Sequence, residues 1–159
     1  MKGFEPSLFD KLFDDAPLQA ARRRLSMDEV KDSVARDLEA LLNTRTIIDE
    51  SLAPRFPRAL RSIASFGLND FSGMSLASVN DRREICASIE RAIARHEPRL
   101  KDIQVDLELD RRSINALFFS IRAVLVVRPA QEPVSFDAML QPTTLQYSIA
   151  RQRLRCGTA

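Results

Sequence analysis

His96 is the only histidine in the sequence, so it is the first candidate for general acid–base chemistry. A nucleophilic partner would have to lie beside it, and Cys86 is the nearest cysteine along the chain. Both residues fall in one predicted helix, where ten residues separate them by roughly 15 Å along the axis, so they cannot form a pair. Cys86 and Cys156 also show no metal-ligand spacing and no disulfide framework, which predicts a reducing compartment.

Other routes to catalysis have equally little support in the sequence. A glycosidase needs two carboxylates at a set separation, and the 22 acidic residues single out no such pair. The chain has no nucleophile-elbow motif, no phosphate-binding loop and no dinucleotide fingerprint. We therefore predict no catalytic residues, no metal, no cofactor and no small-molecule substrate. Peptidoglycan-hydrolase activity is a disfavoured alternative.

The charged residues with the most informative setting are Glu97 and Arg99, which flank Pro98. Pro98 pushes Glu97 out of the α region, so the preceding helix should end near His96. A carboxylate at a helix C-terminus is unfavourable by up to about 1 kcal/mol, so a cation should compensate it, and Arg99 is the nearest. A stiff corner of this kind could exchange both charges with a partner protein. Alternatively, the two charges close the helix–strand junction inside this chain.

The elements around this corner predict an α+β fold in which about three helices precede, and pack on, an antiparallel β-meander. Apolar stripes with helical period and capping residues predict helices at about 26–43, 57–66 and 78–96. From Lys101 the apolar period changes to two, which indicates four strands. The strands are expected at about 102–109, 115–128, 134–140 and 145–149, with a loop bounded by Pro129 and Pro133.

Both ends of the chain are predicted to lie outside a single domain at 26–150, as an N-terminal arm at 1–25 and a basic C-terminal tail at 151–159. The arm holds an apolar cluster at helical spacing, formed by Leu8, Phe9 and Leu12. A lone helical turn is unstable in water, so this cluster should dock either on its own domain or on a partner.

The last strand changes from apolar to basic along one face, since Tyr147 shares its parity with Arg151 and Arg153. An edge strand of a meander can accept a strand from another protein. We therefore predict that these three residues contact a partner. The alternative is a frayed, solvated tail.

Composition argues against two further classes of protein. The net charge is only +2, and acidic residues interrupt the arginine clusters, which disfavours the alternative of a nucleic-acid-binding protein. The N-terminus has no long apolar core, and no stretch approaches the roughly 18 apolar residues that span a bilayer. The sequence thus predicts a cytoplasmic protein with no nucleic-acid partner and no membrane insertion.

Seven stretches recur together, in order and over nearly the whole chain, in one known family. They are SLFDKL (7–12), DLEALLNTR (37–45), FGLNDF (66–71), HEPRL (96–100), IQVDLEL (103–109), LFFSIRAVL (117–125) and PVSFD (133–137). On these residues the chain resembles the TssE family of type VI secretion baseplate subunits. That family belongs with the wedge proteins of contractile phage tails and is sometimes labelled lysozyme-like.

The resemblance implies a structural part of a baseplate rather than an enzyme, in the cytoplasm at a membrane-docked secretion assembly. Its partners would be the baseplate wedge proteins and the subunits of the contractile sheath, whose first ring it would template. The family's Glu-Pro-Arg contact motif falls on Glu97, Pro98 and Arg99. On this basis we expect alanine at Glu97 or Arg99 to leave the fold intact and to abolish sheath assembly.

Overall fold

The computed structural model describes residues 3–12, 24–48, 51, 54–75, 77–108, 117–141 and 144–151. Within these residues helices come first, and a four-stranded antiparallel sheet follows in the order β1-β2-β3-β4. The α-helices are α1 (Leu8–Leu12), α2 (Met27–Leu42) and α3 (Val79–His96). The strands are β1 (Leu100–Glu108), β2 (Leu117–Val127), β3 (Ala130–Gln141) and β4 (Gln146–Arg151). The predicted α+β class is confirmed.

Helices α2 and α3 begin and end where local sequence places them. The Ser26 hydroxyl accepts a hydrogen bond from the Glu29 amide, and the Glu29 carboxylate accepts one from the Ser26 amide, which completes the predicted capping box. Ser78 caps α3 by accepting from the Asp81 amide. The last residue of α3 is His96, because Glu97 leaves the helical region (φ −118°, ψ 82°) before Pro98, as predicted.

The helix predicted at 57–66 is wrong, because this segment forms two 3₁₀ turns, Ala59–Arg61 and Ile63–Ser65. Ser62 separates them in an extended conformation (φ −105°, ψ 170°). Its hydroxyl accepts a hydrogen bond from the Ala64 amide and so begins a new turn. This local side-chain bond competes with helix continuation, as serine commonly does.

Gly67 fixes this segment to the end of α2. The Leu68 amide donates to the Thr44 carbonyl at 2.8 Å, and the Thr46 amide donates to the Leu68 carbonyl at 3.0 Å. Gly67 has φ +117°, and a Cβ there would lie 2.5 Å from the Thr44 oxygen. Only glycine therefore fits this crossing without strain.

The start of β3 and the place of Leu145 differ from prediction. The loop expected between Pro129 and Pro133 is a tight turn, because β3 already begins at Ala130 and Pro133 lies inside it. Pro133 is tolerated there since β4 pairs with β3 only from Phe136 onward, so no described strand needs its missing N–H. Leu145, expected in the last strand, lies in a turn at φ +54° and is 55% exposed.

The core lies between one face of the sheet and the helices α2 and α3. Alternate side chains of β2 and β3 are buried there, as the period-two pattern predicted. The largest fully buried side chains include Phe119, Ile121, Leu125 and Phe136 from the sheet, with Val34, Leu38, Ile89 and Ile93 from the helices. This core sets α2 against β4, and it brings the end of α3 to the start of β1.

Candidate functional site

The Glu-Pro-Arg corner is closed by an ion-pair cluster within the chain. Both carboxylate oxygens of Glu97 accept from the Arg99 guanidinium, with Nε to Oε1 at 2.7 Å and an Nη atom to Oε2 at 2.5 Å. The same Nη atom donates to Asp37 on α2 at 2.5 Å. Arg99 therefore ties the corner to α2 as well as to its own neighbour. The Val126 amide bonds the Arg99 carbonyl at 2.7 Å and adds β2 to the same joint.

Burial decides how these charges behave. The Glu97 side chain is 6% exposed, whereas those of Arg99 and Asp37 are 25% and 26% exposed. Burial lowers the pKa of Arg99, but the two carboxylates outweigh it and raise the net pKa further above its usual value, so the guanidinium stays charged. Burial raises the pKa of Asp37 above its usual value despite the opposing effect of Arg99.

This geometry bears on the two alternatives for the corner. Arg99 compensates Glu97, as the sequence predicted, and the pair closes the helix–strand junction inside the chain. Glu97 is too buried for a partner to reach its carboxylate. Pro98 is exposed, and the outer parts of Arg99 and Asp37 are the accessible charges of the cluster.

The described part of the arm makes one contact within itself and one with the domain. Phe4 and Leu25 exchange two backbone hydrogen bonds, both of 2.8 Å. In α1, the Asp10 carboxylate accepts from the Ser33 hydroxyl at 2.8 Å and from the Arg36 guanidinium at 2.6 Å, both on α2. A helix as short as α1 is unstable in water by itself, and the contacts of Asp10 with α2 stabilise it.

Two leucines of the docked α1 face outward. Leu8 is 69% exposed and Leu12 is 66% exposed. The Phe9 side chain lies outside the described part of the chain. The two leucines lie one helical turn apart and are open to solvent, so their expected contact with a partner protein stays a prediction.

Acid should release α1 from α2. Burial raises the pKa of Asp10, but hydrogen bonds from Ser33 and Ser7 and the charge of Arg36 outweigh it, so the pKa lies below its ordinary value of 3.8. The docked state is therefore favoured above the carboxyl's unfolded pKa, and this advantage is lost as the pH falls through the lowered pKa. We expect the NMR signals of the Ser33 and Asp10 amides to titrate in this acid range. Asp10→Asn should remove that titration, and an unchanged titration in this variant would contradict the assignment.

The outer edge of β4 is covered by side chains of α2. Asn43 accepts from the Tyr147 amide at 2.7 Å and donates to the Tyr147 carbonyl at 2.9 Å, as a neighbouring strand would. One turn earlier on α2, Glu39 accepts from the Ile149 amide at 2.8 Å. The Tyr147 side chain is only 4% exposed and packs on Phe119, so it belongs to the core and is not a surface contact.

Arg151, at the end of β4, is also held by α2. Its guanidinium pairs with Asp28 at 2.9 Å and with Asp32 at 3.1 Å, and its side chain is 26% exposed. Any contact of Arg151 with a partner must therefore compete with two acids of its own chain. Arg153 lies outside the described residues.

The opposite edge of the sheet is covered in the same way by α3. Glu90 accepts from the Val105 amide of β1 at 2.8 Å. One turn earlier lies Cys86, whose pKa is raised by burial against the opposing effect of a hydrogen bond from the Leu107 amide. Each sheet edge is therefore bonded by two side chains at i and i+4 of a helix, a way of protecting edge strands from unwanted pairing.

His96 takes part in packing rather than in a catalytic arrangement with the other described residues. Its Nε2 lies 2.9 Å from the Ser65 carbonyl oxygen and 3.2 Å from the Ser65 hydroxyl, and its ring meets Phe66 edge-on. Burial lowers its pKa. The described residues contain no cluster of three or more side chains suited to a metal, and no described helix has the length and apolarity to cross a membrane.

The fold and these sites define a small α+β protein, with polar clusters that tie its elements together and exposed apolar residues outside the core. Residues 28–130, more than half of the chain, match the family described as baseplate wedge protein gp25. The chain belongs to this family and is a TssE-like baseplate protein, which confirms the resemblance. None of the curated proteins compared with the chain matches it.

Sequence reasoning missed the residues of α2 that complete these sites. Asp37 pairs with Arg99 across 62 positions, and Asn43 bonds Tyr147 across 104 positions. Asp37 and Asn43 both lie in the stretch 37–45 that carried part of the resemblance. Asp37 and Asn43 lie beside the apolar stripe of α2, and this position was the available sign that they bond other elements. Their partners could not be predicted, because they depend on tertiary packing.

Proposed function

We propose that this chain is a structural subunit of a type VI secretion baseplate, located in the cytoplasm at the membrane-docked machine. It binds in the baseplate wedge, and its strand β4 pairs with a strand of the first sheath subunits, so that sheath assembly begins there. The protein works by assembly rather than catalysis. Membership of the baseplate wedge family supports the first part of this proposal.

The observation that carries the sheath-templating role is the chemistry of the β4 edge. Its outward amides are bonded by Asn43 and Glu39, two side chains, and not by a strand. A sheath strand offers the same donors and acceptors in a continuous row, so it can replace these bonds one for one. Until then the side chains prevent other strands from pairing with this edge.

The Glu-Pro-Arg corner has divided roles in this proposal. Glu97 acts from inside the chain, where it fixes the orientation of the Arg99 guanidinium. Pro98 and the outer part of Arg99 face the wedge partner, together with Asp37. A guanidinium held by two carboxylates is already ordered, so less conformational entropy is lost when a partner binds it.

Glu39→Ala should strengthen binding of the sheath strand. The variant removes the bond to the Ile149 amide, which must otherwise break before a strand can add. A hydrogen bond to a charged group contributes about 1.5–3 kcal/mol, so we expect roughly tenfold tighter binding or more. Binding would be measured by titration calorimetry with the purified sheath subunit from the same organism.

Glu90→Ala is the matched control, because Glu90 makes an equivalent 2.8 Å bond to Val105 at the other edge. Glu90→Ala should lower the free energy of unfolding about as much as Glu39→Ala does, and it should leave the affinity for the sheath subunit unchanged. Equal affinities of the two variants would contradict strand addition at β4. A sheath subunit that binds neither the wild type nor the variants would reject the proposed function itself.

A further inference from the structure

Four arginines form a cationic surface around the 3₁₀ segment and the end of α3. Arg55, Arg58 and Arg61 come from the segment, and Arg95 comes from the last turn of α3. All four are exposed, and none has an ion-pair partner among the described residues. The sequence from 54 to 69 contains no acid at all. Like charges gathered without counterions repel each other, so this surface favours an anionic partner.

Exposed apolar side chains lie in the 3₁₀ segment and in the stretch that follows α2. Phe56 is 57% exposed, Ile63 is 83% exposed and Ile47 is 87% exposed. Single exposed apolar residues are common on proteins, but a group of them beside arginines has the composition of an interface centre. We call these seven residues the arginine patch: Ile47, Arg55, Phe56, Arg58, Arg61, Ile63 and Arg95.

A narrow cavity brings these segments together. Ile48, Leu60 and Ser65 line it from the chain on one side, and Arg91 and Arg95 line it from α3. The Ser65 hydroxyl also bonds the Leu60 carbonyl at 2.8 Å and lies 3.2 Å from the ring of His96, which fixes the segment against α3. Of the patch residues, Arg95 lines the cavity itself, and Ile47 and Arg61 directly adjoin the lining residues Ile48 and Leu60 in sequence.

We propose that the arginine patch docks an acidic amphipathic helix of another protein. Glutamates or aspartates on one side of that helix would pair with Arg55, Arg58 and Arg61, and leucine-like side chains would cover Phe56 and Ile63. The patch is distinct from α1, the Glu-Pro-Arg corner and the β4 edge. The inference therefore goes beyond the proposed function and does not depend on it.

Two features favour a protein partner over other anions. Nucleic-acid backbones are bound mainly through charge, and they would leave Ile63 and Ile47 in water. A lipid bilayer offers a flat surface, whereas the mouth of the cavity is concave and carries polar groups of Thr46 and Asn69. A helix can set acidic side chains against the arginines and apolar side chains against Phe56 and Ile63 at the same time.

The test uses the ¹⁵N-labelled full chain and a synthetic amphipathic helix with glutamates on one face and leucines on the other. We expect saturable shifts of amide signals within 45–66 and 91–96, and none in α1 or β4. Arg58→Glu with Arg61→Glu should weaken binding at least about tenfold, because two attractions become repulsions. Phe56→Ser with Ile63→Ser should also weaken it at least about tenfold by removing apolar contact.

Arg83→Glu with Arg128→Glu is the matched control, since it makes the same charge change at two exposed arginines that are not part of the patch. It should change affinity less than about twofold at physiological salt. Equal weakening by both charge-reversal variants would overturn the proposal, as would the absence of binding. Tighter binding of duplex DNA or of phosphatidylglycerol vesicles than of the peptide would also overturn it.

Discussion

Arg99→Ala is expected to lower the free energy of unfolding by about 3–5 kcal/mol, because it leaves the carboxylate of Glu97 buried without a cation. Glu97 is 6% exposed, and Arg99 is the only partner that the described residues give its side chain. Asp37 loses the same guanidinium. Domains of this size are stable by about 5–15 kcal/mol, so the loss would be visible in any urea titration followed by circular dichroism.

Glu97→Ala should cost less than Arg99→Ala, since Arg99 would keep its bond to Asp37. Arg122→Ala is the matched control, because Arg122 pairs with Asp106 and the two side chains are 58% and 60% exposed. An exposed pair contributes less than about 1 kcal/mol. If Arg99→Ala proves as mild as Arg122→Ala, the corner is not an internal cluster. This expectation replaces the one drawn from sequence, that alanine at Arg99 leaves the fold intact.

Leu8→Ser with Leu12→Ser is expected to weaken binding to the purified baseplate wedge by roughly 30- to 1,000-fold, while the chain stays folded. Both side chains are about two-thirds exposed, so they add little to the stability of the isolated chain. Burying two leucines in an interface is worth about 2–4 kcal/mol, which sets the size of the effect. Surface plasmon resonance on immobilised wedge complex would measure the affinity, and thermal unfolding would check the fold.

Met74→Ser with Val79→Ser is the control for this experiment, because both residues are exposed and apolar but lie away from α1. Its affinity for the wedge should stay within about twofold of the wild type, as expected for residues outside an interface. If the α1 variant binds the wedge as tightly as this control does, the outward leucines are not a docking contact.

Sequence patterns correctly predicted the structural features that depend on residues close together in the chain. The capping box of Ser26 and Glu29, the end of α3 before Pro98 and the alternation of β2 all follow from neighbouring residues. The 57–66 helix failed because the Ser62 hydroxyl bonded the backbone two residues on, a competition that apolar periodicity does not register.

The candidate sites were harder to predict because their partners are distant in sequence. Glu97 and Arg99 were found from their positions beside Pro98, but the contact of Arg99 with Asp37 depends on how α2 packs against the corner. Tyr147 was assigned to a surface on parity alone, and packing against Phe119 placed it in the core. Edge protection by Glu39 and Glu90 depends on where each helix lies against the sheet.

Sheath assembly in living cells tests the central claim most directly. The gene for this chain would be deleted from the organism that encodes it, and a fluorescent sheath subunit would be followed by microscopy. We predict that no extended sheaths form and that the wild-type chain restores them. Extended sheaths in normal numbers without the chain would contradict its role as a baseplate subunit that starts the sheath.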